Sequence, residues 1–192
     1  MGNRKMKRKT LLIGAGGIGS HLVMYLRYYA DRGQLDEMDL TITDPDQVEK
    51  KNRLYSNFLL EDIGLNKAEA LGKRYKFKYE KTKITNSSQL KGYDLIVLAV
   101  DNSKSRDIVY KSNKFWIDCR SKGMGYSVFF NSNKTKNNGL NLNRPAESCQ
   151  YENRLEEGLI DCGNVISAII GTGQILNYFR GKLSISEIIG IL

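Results

Sequence analysis

The sequence is poor in the residues that most often hold metals or carry nucleophilic chemistry: one histidine, His21, and three cysteines, Cys119, Cys149 and Cys162, in 192 residues. No CxxC pair is present to hold zinc, so none is expected, and three scattered thiols cannot build a disulfide framework. His21 has no serine, cysteine or carboxylate partner assignable from sequence, so its expected role is structural or solvent-facing. No apolar run approaches the roughly 18 residues that span a bilayer. The basic tail Met1–Lys9 has no apolar signal core, so a cytoplasmic protein is expected.

Charge of one sign is in excess, with a net +9. The lysines are dispersed over Lys50-Lys51, Lys67, Lys73 to Lys83, and Lys134 with Lys136. A nucleic-acid site gathers its charge on one face with aromatics between, so nucleic acid is not an expected partner. With 41% hydrophobic and 27% charged residues and no internal repeat, the chain reads as one soluble domain over residues 1–192.

The informative stretch is Thr10 to Ser20, TLLIGAGGIGS. An apolar run, Leu11-Leu12-Ile13, has a buried strand's composition and stops at Gly14-Ala-Gly16-Gly17-Ile-Gly19, after which His21 to Tyr29 has helical spacing. Strand, glycine turn and helix form the unit that cradles a nucleotide phosphate. Gly14 permits the tight turn, Gly16 lets backbone N–H groups approach the anion, and Gly19 lets helix and strand pack closely. The alternative is a glycine-rich turn without a ligand.

Further landmarks follow in order. Met38 to Thr43 alternates as a second strand and ends at Asp44, where a ribose hydroxyl would sit, or where a turn before Pro45 needs an aspartate. At this point NAD and ATP are equally served. Glu61 to Arg74 reads as a helix with Lys67 in its first turn; a cation there opposes the helix dipole and makes sense beside a bound anion. Tyr75 to Thr85 reads as a third strand, and Tyr93 to Val100 as a buried fourth ending at Asp101-Asn102. Asp101 is a candidate ligand for Mg²⁺ or an N-cap for a helix over Lys104 to Lys111. Phe115 to Cys119 and Tyr126 to Phe130 read as strands, Arg120 to Gly125 as a loop between them, and residues 131–147 as a mobile surface loop. Gly163 to Phe179 carries a broad apolar helix face, and Leu183 to Leu192 is apolar enough to dock.

Taken together, these landmarks resemble the ThiF/MoeB family, the ubiquitin-activating-enzyme fold. The resemblance rests on Gly14-Ala-Gly16-Gly17-Ile-Gly19-Ser20, Asp44-Pro-Asp46-Gln-Val48-Glu-Lys-Lys-Asn52, Gly64-Leu-Asn-Lys67-Ala68, Asp101-Asn102 with Arg106, and Asp161-Cys162-Gly-Asn-Val165 running to Gln174. It implies an α/β, Rossmann-like, mostly parallel central sheet with helices on both faces. The implied activity is ATP-dependent adenylylation of the C-terminal carboxylate of a ubiquitin-like or sulfur-carrier protein, by a homodimer. Carried over by position, Gly14, Gly16, Gly17 and Gly19 hold nucleotide and Asp44 its ribose, with Asp46 and Asn102 beside them. Asn52 and Lys67 bind phosphates, and Asp101 holds Mg²⁺. Cys162 falls where some members place a sulfur-handling or thioester-forming cysteine; the alternative is a buried structural thiol.

The chain departs from the pattern in places. Where many relatives read N-L-x-R-Q, it reads Asn52-Arg53-Leu54-Tyr55-Ser56, so Tyr55 stands at the phosphate-binding arginine's position and Arg53 is the candidate substitute. The paired zinc cysteines are replaced by Cys149 and Glu152. The interface arginine of relatives has only Arg4 and Arg8 as counterparts. Two other readings stay open: a non-catalytic relative that binds nucleotide or a partner, and an NAD(P)-dependent oxidoreductase, which leaves Lys67, Asn52 and Asp101 without a role.

Overall fold

Leu11-Leu12-Ile13 and Leu95-Ile96-Val97-Leu98 are apolar at successive positions because both faces of their strands are covered; the two strands pair in parallel at the centre of a seven-stranded sheet. The computed structural model describes residues 7–131, 150, 155–182 and 187–190. In chain order these form β1 (Arg8–Ile13), α1 (Gly17–Ala30), β2 (Met38–Thr43), α2 (Lys67–Tyr75), β3 (Lys78–Glu80) and β4 (Leu95–Leu98). They continue with α3 (Ser103–Tyr110), β5 (Phe115–Lys122), β6 (Gly125–Asn131), α4 (Gly163–Phe179) and β7 (Glu187–Gly190).

The strand order is β3-β2-β1-β4-β5-β6-β7. The first five are parallel to one another, β6 pairs antiparallel with β5, and β7 pairs antiparallel with β6. The chain winds outward from β1 to β3, then crosses back to lay β4 on β1's other side. That reversal leaves a crevice beyond the carboxyl ends of β1 and β4, the position at which open α/β sheets take ligands. The expected fold class, α/β and Rossmann-like with a mostly parallel sheet, is the observed one.

Alternation along β1 sends Leu12 to one face and Leu11 and Ile13 to the other. Leu12 packs with Leu22 and Leu26 of α1, Leu71 of α2 and Ile175 of α4; Leu11 and Ile13 pack with Val109 of α3, Trp116 and Phe129. α4 lies close to β5 because Gly171 faces the Cys119 sulfur, leaving no room for a Cβ.

Several boundaries differ from expectation for local reasons. The helix expected from Glu61 begins at Lys67, because the Asn66 side chain accepts from the Glu69 N–H at 3.1 Å and sets the N-cap there. Leu60–Asp62 is a separate 3-10 turn. The third strand shrinks to Lys78–Glu80. The loop expected over Arg120 to Gly125 is instead a hairpin, its ends extending β5 and β6. The C-terminal apolar stretch contributes β7, paired to β6. The mobile loop expected over 131–147 lies outside the described residues, except for Asn131 at the end of β6, and so do Cys149, Glu152 and Arg4. Arg8, at the start of β1, sits over the rings of Tyr178 and Phe179 at 5.4 and 5.7 Å, at the opposite end of the strand from the glycine loop.

Candidate functional site

The glycine loop leaves β1 with the Gly14 N–H donating to the Thr43 carbonyl at 2.9 Å. Gly14 has φ +98°, and a Cβ there would meet the Ala99 carbonyl oxygen at 2.5 Å, so only glycine fits. Gly19 has the matching role inside α1, where a Cβ would run into the Gly14 carbonyl. Gly16 differs: a Cβ there would meet no protein atom within 4 Å. It precedes the first residue of α1, so the loop opens onto the helix's unsatisfied N–H groups and positive dipole end.

Asp44, at the end of β2, closes this loop. Its Oδ2 accepts from the Ala15 N–H at 2.7 Å and its Oδ1 from the Asp46 N–H at 2.9 Å. Burial pushes its carboxyl above the usual range, while these two N–H groups and Lys67 pull it down. The Asn66 side chain donates to the carbonyls of Asp44 and Asp46 at 2.8 and 3.0 Å, tying the turn to the start of α2. That tie sets Lys67 beside Asp46, with Nζ 3.2 Å from Oδ2. The anion expected opposite Lys67 is therefore met, in the protein alone, by an exposed carboxylate of its own chain.

The 3-10 turn Lys50–Leu54 turns Asn52 inward and leaves Arg53 outside; successive residues of such a turn point about 120° apart. Asn52 accepts from the Glu49 N–H at 2.8 Å and donates to the Tyr55 hydroxyl at 3.1 Å. Arg53, the expected substitute for the missing arginine, is exposed and does not border the site cavity. His21 is half-buried, its Nε2 lies 3.3 Å from the Tyr55 carbonyl, and burial lowers its pKa against the pull of that contact.

Across the crevice, Asn102 and not Asp101 caps α3, accepting from the Ser105 N–H at 3.0 Å. Asp101 is exposed and makes no hydrogen bond or ion pair with the described residues. Behind it Arg106 is 5% exposed. Its Nε donates to Asp118 Oδ1 at 3.1 Å, another nitrogen donates to the Val100 carbonyl, and Nη1 has no hydrogen-bond partner among the described residues. The other Asp118 oxygen accepts from Arg120 Nε at 2.6 Å and from the Tyr110 hydroxyl. Burial and the Asp118 charge push the Tyr110 phenol well above its ordinary value.

Residues from both sides of the crevice line one cavity of about 930 Å³, within the ~300–1,000 Å³ typical of ligand sites. Gly14, Gly16, Gly17, Asp44, Asp46, Asn52, Lys67, Asp101 and Asn102 border it; Gly19, Arg53 and Cys162 do not. Cys162 is exposed at the N-cap of α4 and its N–H lies 3.3 Å from Met124 Sδ, so the buried-thiol alternative is overturned. Sequence reasoning missed Arg120 and Tyr126, which line the far wall, and gave no site role to Asp161, which is 1% exposed and also lines it. The signal for Arg120 was present in Asp118-x-Arg120, which a strand's period of two places on one face.

A family model described as the ThiF family matches residues 3–186. No curated protein matches the sequence. Among solved structures, E. coli MccB with MccA-N7isoASN aligns at a TM-score of 0.71 and 15% identity, over 96% of this chain and 64% of that one. PaaA aligns at 0.68 and 17%, over 96% and 61%, and E. coli MccB with ATP at 0.71 and 14%, over 96% and 63%. The chain thus spans less than two thirds of the length of these structures.

Proposed function

Because the chain belongs to the ThiF family, we propose that it is an ATP-dependent adenylyltransferase. In this reading a substrate carboxylate oxygen attacks the α-phosphorus of ATP, the bond to the bridging oxygen breaks, and acyl-adenylate and pyrophosphate result. The observation that carries the reading is Gly16, open to the cavity at the N-terminus of α1 while Lys67 and Asp101 face the same space. The donor set fits the nucleotide: an unfilled glycine cradle, a lysine, and a buried Arg106 nitrogen without a partner among the described residues. Asp44 takes the ribose through its remaining lone pairs, and Lys67 exchanges Asp46 for phosphate. Asp101 holds Mg²⁺, an ion commonly bound by one or two carboxylates together with phosphate oxygens. The bound ion would neutralise phosphate charge; the protein's share is positioning and electrostatic complement.

The acyl substrate is the C-terminal tail of a ubiquitin-like or sulfur-carrier protein. The E. coli MccB structures with ATP and with MccA-N7isoASN support a site that takes a nucleotide and a second substrate. Residues 1–192 act as one adenylation domain, in the cytoplasm and as a homodimer. Exposed Leu54, Leu59, Leu60, Ile63 and Leu65 between β2 and α2 support the dimer. No described helix is long and apolar enough to cross a membrane. Cys162, outside the cavity lining, has a candidate role only after adenylation. A second reading, a nucleotide-binding relative without catalysis, is favoured by the position of Arg53.

The test is calorimetric binding of ATP with Mg²⁺, beside NAD, to wild type, Lys67→Ala and Asp101→Ala. ATP binding weakened at least about tenfold in both variants, the loss of one charged contact, is the expected result. Binding of NAD instead, or of neither nucleotide, overturns the reading. Pyrophosphate release with a carrier-protein tail separates the enzyme from the non-catalytic relative.

A further inference from the structure

Beside the glycine loop, two of the side-chain donors that border the cavity already have partners within the protein. Lys67 Nζ is paired with Asp46, and an Asn52 Nδ2 proton goes to the Tyr55 hydroxyl. The Tyr55 hydroxyl itself accepts that bond and donates to none of the described residues. Tyr55 borders the cavity and is half-buried.

Its placement is built from three elements. The Tyr55 carbonyl accepts from Asn164 Nδ2 of α4 at 2.6 Å and lies 3.3 Å from His21 Nε2 of α1, and its N–H donates to the Asn52 carbonyl at 3.3 Å. The hydroxyl is held in turn by Asn52, which is 7% exposed and fixed by the Glu49 N–H. Backbone and side-chain tip are thus both anchored. A ring needed only for packing would be served by phenylalanine. Accepting a bond from an amide also polarises the O–H and strengthens it as a donor.

The geometry points to Tyr55 as a phosphate-binding residue: its hydroxyl donates to a non-bridging oxygen of the ATP polyphosphate, with Asn52 as the positioning residue behind it. This rests on the nucleotide reading above. It predicts that the hydroxyl distinguishes ATP from adenosine and adds nothing to recognition of the nucleoside.

The experiment is calorimetric binding of ATP with Mg²⁺ and of adenosine to wild type, Tyr55→Phe, Tyr55→Arg and Lys67→Ala. A hydrogen bond to a charged group predicts that Tyr55→Phe lowers ATP affinity about tenfold or more and leaves adenosine affinity unchanged. Tyr55→Arg, which returns a donor, restores the ATP-to-adenosine ratio to within about threefold of wild type, and it decides the matter if Tyr55→Phe does not fold. Equal ATP affinity in Tyr55→Phe and wild type, an equal loss for both ligands, or a Tyr55→Arg ratio no better than that of Lys67→Ala overturns the assignment. If Lys67→Ala loses ATP while Tyr55→Phe does not, only Tyr55 is wrongly placed; if wild type binds no ATP, the nucleotide reading falls with it.

Discussion

Asp44, just past the end of β2, and Asp118, within β5, are both buried, yet their charges are met in opposite ways. Asp44 takes backbone N–H groups from the glycine loop and from its own turn. Asp118 takes two arginines and a tyrosine. The first arrangement fixes the shape of a short loop, so changes there should register in ligand binding. The second joins α3 to β5 through side chains that are 0 to 8% exposed, so changes there should register in the stability of the fold.

Removing Asp118 gives the largest expected effect. Asp118→Ala leaves two buried guanidinium groups without their carboxylate and should destabilise by about 3–5 kcal/mol, measured as the shift in urea unfolding. Asp44→Asn keeps one acceptor oxygen and relieves a buried charge, so about 1–3 kcal/mol is expected. Equal losses would erase the difference between the two sites.

Within the loop the same contrast recurs between two glycines. Gly14→Ala forces an L side chain into φ +98° against the Ala99 carbonyl and should destabilise by about 1–3 kcal/mol. Gly16→Ala meets no protein atom within 4 Å, so thermal unfolding should shift by less than ~0.5 kcal/mol while ATP binding falls sharply. A Gly16→Ala variant that binds ATP like wild type would move the phosphate elsewhere.

The loop side of the cavity was legible in the sequence because its requirements are local. A tight turn needs Gly14, and Asp44 and Lys67 stand at fixed distances along one chain segment. The far side was not legible for the opposite reason. Arg120-Ser-Lys122 looks like a solvated turn, and only the pairing of β5 with β6 and the approach of α3 bury Arg120 against Asp118. Asn164 is recognised as a support of Tyr55 only in three dimensions, since 109 residues separate the two. The α3 cap falls on Asn102 rather than on Asp101, and Arg53 faces outward beside an inward Asn52; motif spacing does not resolve such one-residue differences.

His21 offers a smaller, pH-dependent test. Burial holds its native pKa below 6.5, so the unfolded chain takes up the proton first as pH falls. Its stabilising share is complete above about pH 6.5 and is lost below it, toward the lower native value. Asp44, raised above 3.8 by burial, has the opposite sign: its share is lost as pH rises from 3.8 toward its native value. The difference between wild type and His21→Gln, followed by thermal unfolding from about pH 8 down to 5, isolates the histidine.

The smallest stability effect belongs to Asp46, whose ion pair with Lys67 is exposed on the carboxylate side, at 66%. Such pairs contribute about 0–1 kcal/mol, so Asp46→Asn should unfold almost as wild type does. Its effect on ATP is the sharper observation because the two roles open to Asp46 differ in sign. As a counter-ion that phosphate must displace from Lys67, its neutralisation removes a competitor and tightens ATP binding. As a nucleotide ligand, its neutralisation weakens binding. Tighter binding is the expected outcome, since the Asp46 carboxylate already sits against the cation that phosphate would claim. Weaker binding would instead align Asp46 with Asp44 as part of the nucleotide's support.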